Sequence, residues 1–104
     1  MWNKRIIGLD FDDKKTGLRI IKLIEILGIK AEYRLSSSRR GYHVRIHTKK
    51  NCDKENNLKI RYMFGDCYGR FIGDVRRLQH GLIEFDILFE HKNNKKTTKW
   101  RKIK

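Results

Sequence analysis

No run in this 104-residue chain approaches the ~20 consecutive apolar residues that a membrane-spanning helix needs. That excludes a membrane span of that kind, and no membrane partner is expected. Met1 to Leu9 carries two bases with no long apolar stretch behind them, which argues against a signal peptide. Cysteine is scarce too: only Cys52 and Cys67 are present, far from a C-x-x-C spacing. A disulfide scaffold and a four-ligand zinc site are therefore not expected, and the setting reads as cytoplasmic, which includes a viral or plasmid protein acting in its host. Acid is the third shortage. Twelve Asp and Glu stand against 26 Lys and Arg, a formal net charge of +14, and the pI is near 10.1. So large a surplus on one small domain favours a polyanion, with nucleic acid ahead of an anionic lipid surface, which would want an amphipathic basic helix.

What is present suffices for one folded domain: 38% of residues are apolar and 11% aromatic. Residues 4–12, KRIIGLDFD, read as a strand, with Ile7, Leu9 and Phe11 on one face and Gly8, Asp10 and Asp12 on the other. A helix follows, with Thr16 as its expected cap, Ile20, Leu23, Ile24 and Leu27 as its apolar stripe and Gly28 as its stop. Residues 30–36 and 42–48 alternate as two strands around a polar turn, which makes a hairpin. Residues 51–64 read as a weaker helix, capped by Asn51 or Asp53 and stopped by Gly65. Residues 69–77 and 82–90 read as two more strands, with Ile83, Phe85, Ile87 and Phe89 facing the core. The order predicts an α+β fold: a ferredoxin- or RRM-like split βαββαβ sheet with one extra strand and two helices on one face. The other face would be open and carry Asp10, Asp12, His43, Arg45 and Asp74. Residues 1–92 form the core. Residues 93–104, basic and free of acid, form an expected mobile arm in which Trp100 stacks on a base.

Two constellations carry chemistry. Asp10 and Asp12, two apart on a strand, project from one face, and carboxylates so close repel unless a cation lies between them. Mg²⁺ prefers such oxygens and keeps positions open for phosphate. SSRRGYH, residues 37–43, gathers Ser37, Arg39, Arg40, Gly41 and His43 across one turn. Arginines fork onto phosphate, and a glycine permits close backbone approach.

D-x-D followed by S-x-R-R-G-x-H resembles motifs I and II of the archaeo-eukaryotic primase superfamily, the primase–polymerases built on an RRM-like core. The resemblance covers residues 7–92. It implies that Asp10 and Asp12 hold metal, and that Ser37, Arg39, Arg40 and His43 contact the phosphates of an incoming nucleotide. GDCYGRFIGDVRR, residues 65–77, is similar to the third motif of small members, with Asp74 as third carboxylate and Asp86 as its rival. Arg70, Arg77 and Lys92 would then serve phosphates and template. The implied chemistry is transfer of nucleotides from a nucleoside triphosphate onto a strand templated by single-stranded DNA. Two Mg²⁺ or Mn²⁺ ions would assist, and a helicase or other replication protein could be a partner. The family's extra αβ unit and zinc module have no room here, and Gly73 replaces the bulkier residue expected before Asp74. Two other readings stay open. RGYHVRI, residues 40–46, echoes an RNP1 pattern and would suit a non-catalytic binder of single-stranded nucleic acid. A metal-dependent ferredoxin-like nuclease would use Asp10 and Asp12 alone.

Overall fold

Alternation builds the sheet. The computed structural model describes residues 4–81, 84–88, 91–92 and 95–103. In β1 (Lys4–Phe11), Ile7, Leu9 and Phe11 are buried. In the register they stand opposite Ile46, Val44 and Tyr42 of β3 (Tyr42–Cys52). Across β3, β2 (Ala31–Leu35) sets Ala31, Tyr33 and Leu35 against the same three residues. The fully buried Ile, Leu, Val and Phe side chains among these contribute about 1.5–3 kcal/mol each, so a one-residue slip of register would be costly.

Between β1 and β2 runs α1 (Lys14–Leu27), which brings Ile24 into the core with Ile20 and Ile21 packed against it. Its cap is not Thr16 but Asp13. The Asp13 carboxylate accepts from the backbone N–H of Lys15 and Thr16 and from the Thr16 hydroxyl. A carboxylate favours the positive end of a helix, and those three donors hold the Asp13 carboxyl below its usual range. Gly28 ends the helix as expected. α2 (Lys54–Met63) is capped by Asp53, and its Ile60, with the following Phe64, packs on the same core. Strands β1 and β2 run the same way with β3 antiparallel between them, the split arrangement of a ferredoxin-like α+β fold.

The C-terminal third departs from the sequence reading. Residues 69–77 are not a strand but lie within α3 (Tyr68–Gln79), so the fold has three helices among the described residues. Gly69 and Gly73 each lower helix propensity by about 1 kcal/mol, which masks the helical signal. That signal is in the charges: Asp66–Arg70 and Asp74–Arg77 are ion pairs at i,i+4 and i,i+3. Residues 84–88 form no strand either. Asp86 takes a left-handed φ of 54°, which breaks the extended alternation, and Ile87 is 44% exposed rather than in the core. Phe85 is buried as expected, while Ile83 and Phe89 lie outside the described residues.

A short ribbon joins β4 (His91–Lys92) to β5 (Lys95–Lys96). The expected mobile arm is instead docked: β6 (Arg101–Lys102) pairs antiparallel with β2, giving sheet order β1-β3-β2-β6. Thr98 Oγ1 accepts from the Leu35 N–H, and Ile103 packs on the core. No helix among the described residues is long and apolar enough to cross a membrane.

Candidate functional site: a cleft between the first strand and the third helix

The outer edge of β1 has no neighbouring strand among the described residues, yet its N–H groups are bonded. The Asp10 N–H donates to Asp66 Oδ1 at 2.7 Å, and the Gly8 N–H donates to Asp86 Oδ2 at 2.9 Å. Two side-chain carboxylates thus do what a strand would otherwise do. Both are locked in turn. Asp66 Oδ2 accepts from Arg61 Nε and Arg70 Nη1, each at 2.8 Å. Asp86 accepts from Arg70 Nη2 and, at 2.6 Å, from Asn57 Nδ2. Asp74, only 2% exposed, accepts from Arg61 Nη1 at 2.7 Å, Arg77 Nη1 at 2.8 Å and the Asp86 N–H at 3.0 Å. Three aspartates and three arginines therefore form one internally balanced network. Arg61 at its centre is fully buried, with its guanidinium 5.7 Å from the Phe85 ring centroid.

In front of this network lies a cleft of about 550 Å³. Asp10, Asp12, Ser37, His43, Cys67 and Arg70 line it, with Asp74 and Arg77 also on its wall. The face opposite the core explains the convergence. In the register Asp10 stands opposite His43, and His43 opposite Arg34, so one row crosses three strands. Arg34 Nε donates to His43 Nδ1 at 3.0 Å, which leaves Nε2 as the protonated nitrogen, 3.7 Å from Asp10 Oδ1. His43 is 5% exposed. Burial first, and then the charges of Arg34 and Arg70, pull its pKa down to about 4, so it enters as a neutral donor.

Asp12 lies just beyond the end of β1, and Cys67 is held there by its N–H donating to the Asp10 carbonyl at 2.8 Å. Ligand atoms of Asp10, Asp12 and Cys67 all fall within 4.8 Å of one another. Two hard oxygens and a sulfur at that separation fit a divalent cation. Burial, and then the neighbouring Asp12 and Asp10 carboxylates, push the Cys67 thiol up.

The turn after β2 carries the second motif. Ser36 and Ser37 are buried, and Ser36 Oγ accepts from the Gly41 N–H. Gly41 is required for a reason other than the one expected. A Cβ there would stand 1.7 Å from the Phe11 carbonyl oxygen, so the turn is pressed against the end of β1. That contact, not a phosphate, sets the demand for glycine, and it brings the two motifs side by side. Arg39 (φ 62°) and Arg40 are exposed on the turn and do not line the cleft. Lys92 lies on β4, and its side chain is outside the described part.

The next row across the sheet is Gly8, Arg45 and Glu32. Glu32 Oε1 accepts from Arg45 Nε at 2.6 Å and lies 2.6 Å from His47 Nε2, and these partners lower its carboxyl to about 2. Trp100 covers this row rather than extending into solvent: the guanidinium carbons of Arg34 and Arg45 each lie 4.2 Å from its ring centroid.

Sequence reasoning missed Arg34, Cys67, Asp66 and Arg61. The hairpin register pointed to Arg34, since it must stand opposite His43. The i,i+4 spacing of Asp66 and Arg70 was a second signal. Cys67 had none, because its place depends on how α3 docks. No family model matches the chain, and no curated protein or solved structure matches it either.

Proposed function

We propose that the chain is a primase–polymerase-like nucleotidyltransferase whose nucleoside triphosphate occupies the cleft between β1 and α3. One observation carries the reading. Asp10 and Asp12 from the first motif, and Ser37 and His43 from the second, line a single cleft. A divalent cation held by Asp10 and Asp12 would supply activation of the attacking hydroxyl and neutralisation of the leaving pyrophosphate. The chain's own residues do the rest. Neutral His43 presents Nε2–H to a phosphate oxygen without adding charge. Ser37 offers a hydroxyl. Arg77, 44% exposed at its side chain beside Asp74, keeps further N–H donors for phosphate, and Arg39 and Arg40 add exposed charge on the turn that follows Ser37. The surplus of 14 positive charges holds a single-stranded template through its backbone phosphates. Asp74 and Asp86 are engaged by arginines, so the reading assigns neither of them to the cation.

The test is incorporation of labelled nucleotide on single-stranded DNA with Mg²⁺ or Mn²⁺, wild type beside the Asp10→Ala, Asp12→Ala double variant. Product from the wild type alone supports the reading; equal product, or none from either, defeats it. A second reading has its own observation. Trp100 lies on Arg34 and Arg45 on the face opposite the core, an aromatic and cationic surface suited to single-stranded nucleic acid without catalysis. It predicts binding that is indifferent to metal.

A further inference from the structure

We infer that Cys67 is a third ligand of the cation held by Asp10 and Asp12, and that its sulfur turns the site toward Mn²⁺, Co²⁺ or Zn²⁺ and away from Mg²⁺. The inference rests on the reading of Asp10 and Asp12 as a cation site, and it assigns the metal class that this site prefers.

Five observations support it. The sulfur and the two carboxylates lie within 4.8 Å of one another. Donors bound side by side to one ion at about 2.1–2.3 Å stand about 3–3.7 Å apart, so small side-chain rotations complete the set. Cys67 is fixed at that distance by its backbone, through the 2.8 Å bond to the Asp10 carbonyl. It occupies the cap position of α3, yet its side chain makes no capping hydrogen bond. The sulfur lies near both the Arg70 backbone at the helix start and the Asp12 carboxylate. The carboxylates that would ordinarily compete for the third place, Asp74 and Asp86, are each held by arginine. Finally, His43, 95% buried, turns its Nε2 edge toward Asp10 at 3.7 Å, while its Nδ1 accepts from Arg34.

The chemistry follows from ligand type. Mg²⁺ takes oxygen and resists sulfur, whereas Mn²⁺ accepts a sulfur ligand more readily than Mg²⁺, and Co²⁺ and Zn²⁺ more readily still. On binding, a sulfur–metal bond forms and the thiol proton passes to solvent; nothing is oxidised or reduced.

The experiment titrates the full chain with Co²⁺ and follows the thiolate-to-cobalt charge-transfer band in the near ultraviolet. The wild type is expected to develop the band, and so is Cys52→Ala, since Cys52 lies in the core. Cys67→Ser loses it, binds Mn²⁺ at least ~10-fold more weakly and binds Mg²⁺ almost as before. Cys67→Asp also lacks the band but gains Mg²⁺ affinity. A measurement on unaltered protein guards against misfolded variants: maleimide modification of Cys67 slows in Mn²⁺ and not in Mg²⁺. No band in the wild type, a band that survives in Cys67→Ser, or modification slowed equally by both metals overturns the inference. If Cys67→Ser keeps the Mn²⁺ preference while Asp10→Ala with Asp12→Ala loses all binding, Cys67 is no ligand and the carboxylate site stands. If the wild type binds none of these metals, both readings fall.

Discussion

Asp10 and Asp74 line the same cleft, and their surroundings make them opposites. Asp74 is buried and meets two guanidiniums and a backbone N–H. Together with Asp66 and Asp86 it belongs to a network in which three carboxylates answer three arginines. Asp10 and Asp12 sit at the end of a strand, beside a neutral histidine and a thiol, with their oxygens turned to the cleft. The lesson is that a carboxylate's job depends on what neutralises it. Where arginines do so inside the protein, the group holds the fold together. Where carboxylates converge on an open cleft, as Asp10 and Asp12 do, the proposed cation from solution would complete them.

That contrast breaks most sharply in stability. Asp66→Ala takes one carboxylate partner from each of the buried Arg61 and the part-buried Arg70 and removes the acceptor of the Asp10 N–H. Loss of one partner of a buried pair costs about 3–5 kcal/mol, which chemical denaturation would read as a large fall in midpoint. Gly41→Ala should be of the same order, because the new Cβ would overlap the Phe11 carbonyl. A shift below ~1 kcal/mol in either variant would mean that the network or the turn is not built as described.

Next comes acid sensitivity on the sheet face. The Glu32 carboxyl sits near 2 in the fold against an ordinary 4.5. Its stabilisation is complete above about pH 4.5 and is lost as pH falls toward 2, a contribution on the order of 2 kcal/mol. Glu32→Gln should flatten stability against pH across that window. An unchanged acid limb would remove Glu32 from the account. The smallest expected effect belongs to the cleft: Asp10→Asn with Asp12→Asn should shift stability by less than ~1 kcal/mol while ending metal-dependent nucleotide incorporation. A large loss of stability there would place these aspartates with Asp66 and Asp74.

Much of the cleft's front was legible in the sequence. Period-two alternation in residues 4–11, 31–35 and 42–48 assigned the faces of β1, β2 and β3, so Asp10, His43 and Arg45 came out opposite the core. The back was not legible. Gly69 and Gly73 hid a helix whose evidence is ionic rather than apolar. The alternation of residues 82–90 promised a strand, but Asp86 caps the Gly8 N–H from a left-handed backbone. The basic C-terminal residues looked like a free arm because their charge outweighs their few apolar groups. Trp100 and Ile103 are enough to dock them on the sheet. For residues 82–90 and for the C-terminal arm the deciding interaction is long-range, and local pattern carries no trace of it.

Asp10 and Asp12, unlike Asp74, form the proposed cation-dependent triphosphate site. The most direct measurement is equilibrium binding of a nucleoside triphosphate with and without Mn²⁺, comparing wild type with folded Asp10→Asn, Asp12→Asn protein. Metal-dependent binding in the wild type and its loss in the variant, with thermal stability retained, is the expected result. Binding of equal strength in both proteins, or binding that ignores Mn²⁺, would contradict it.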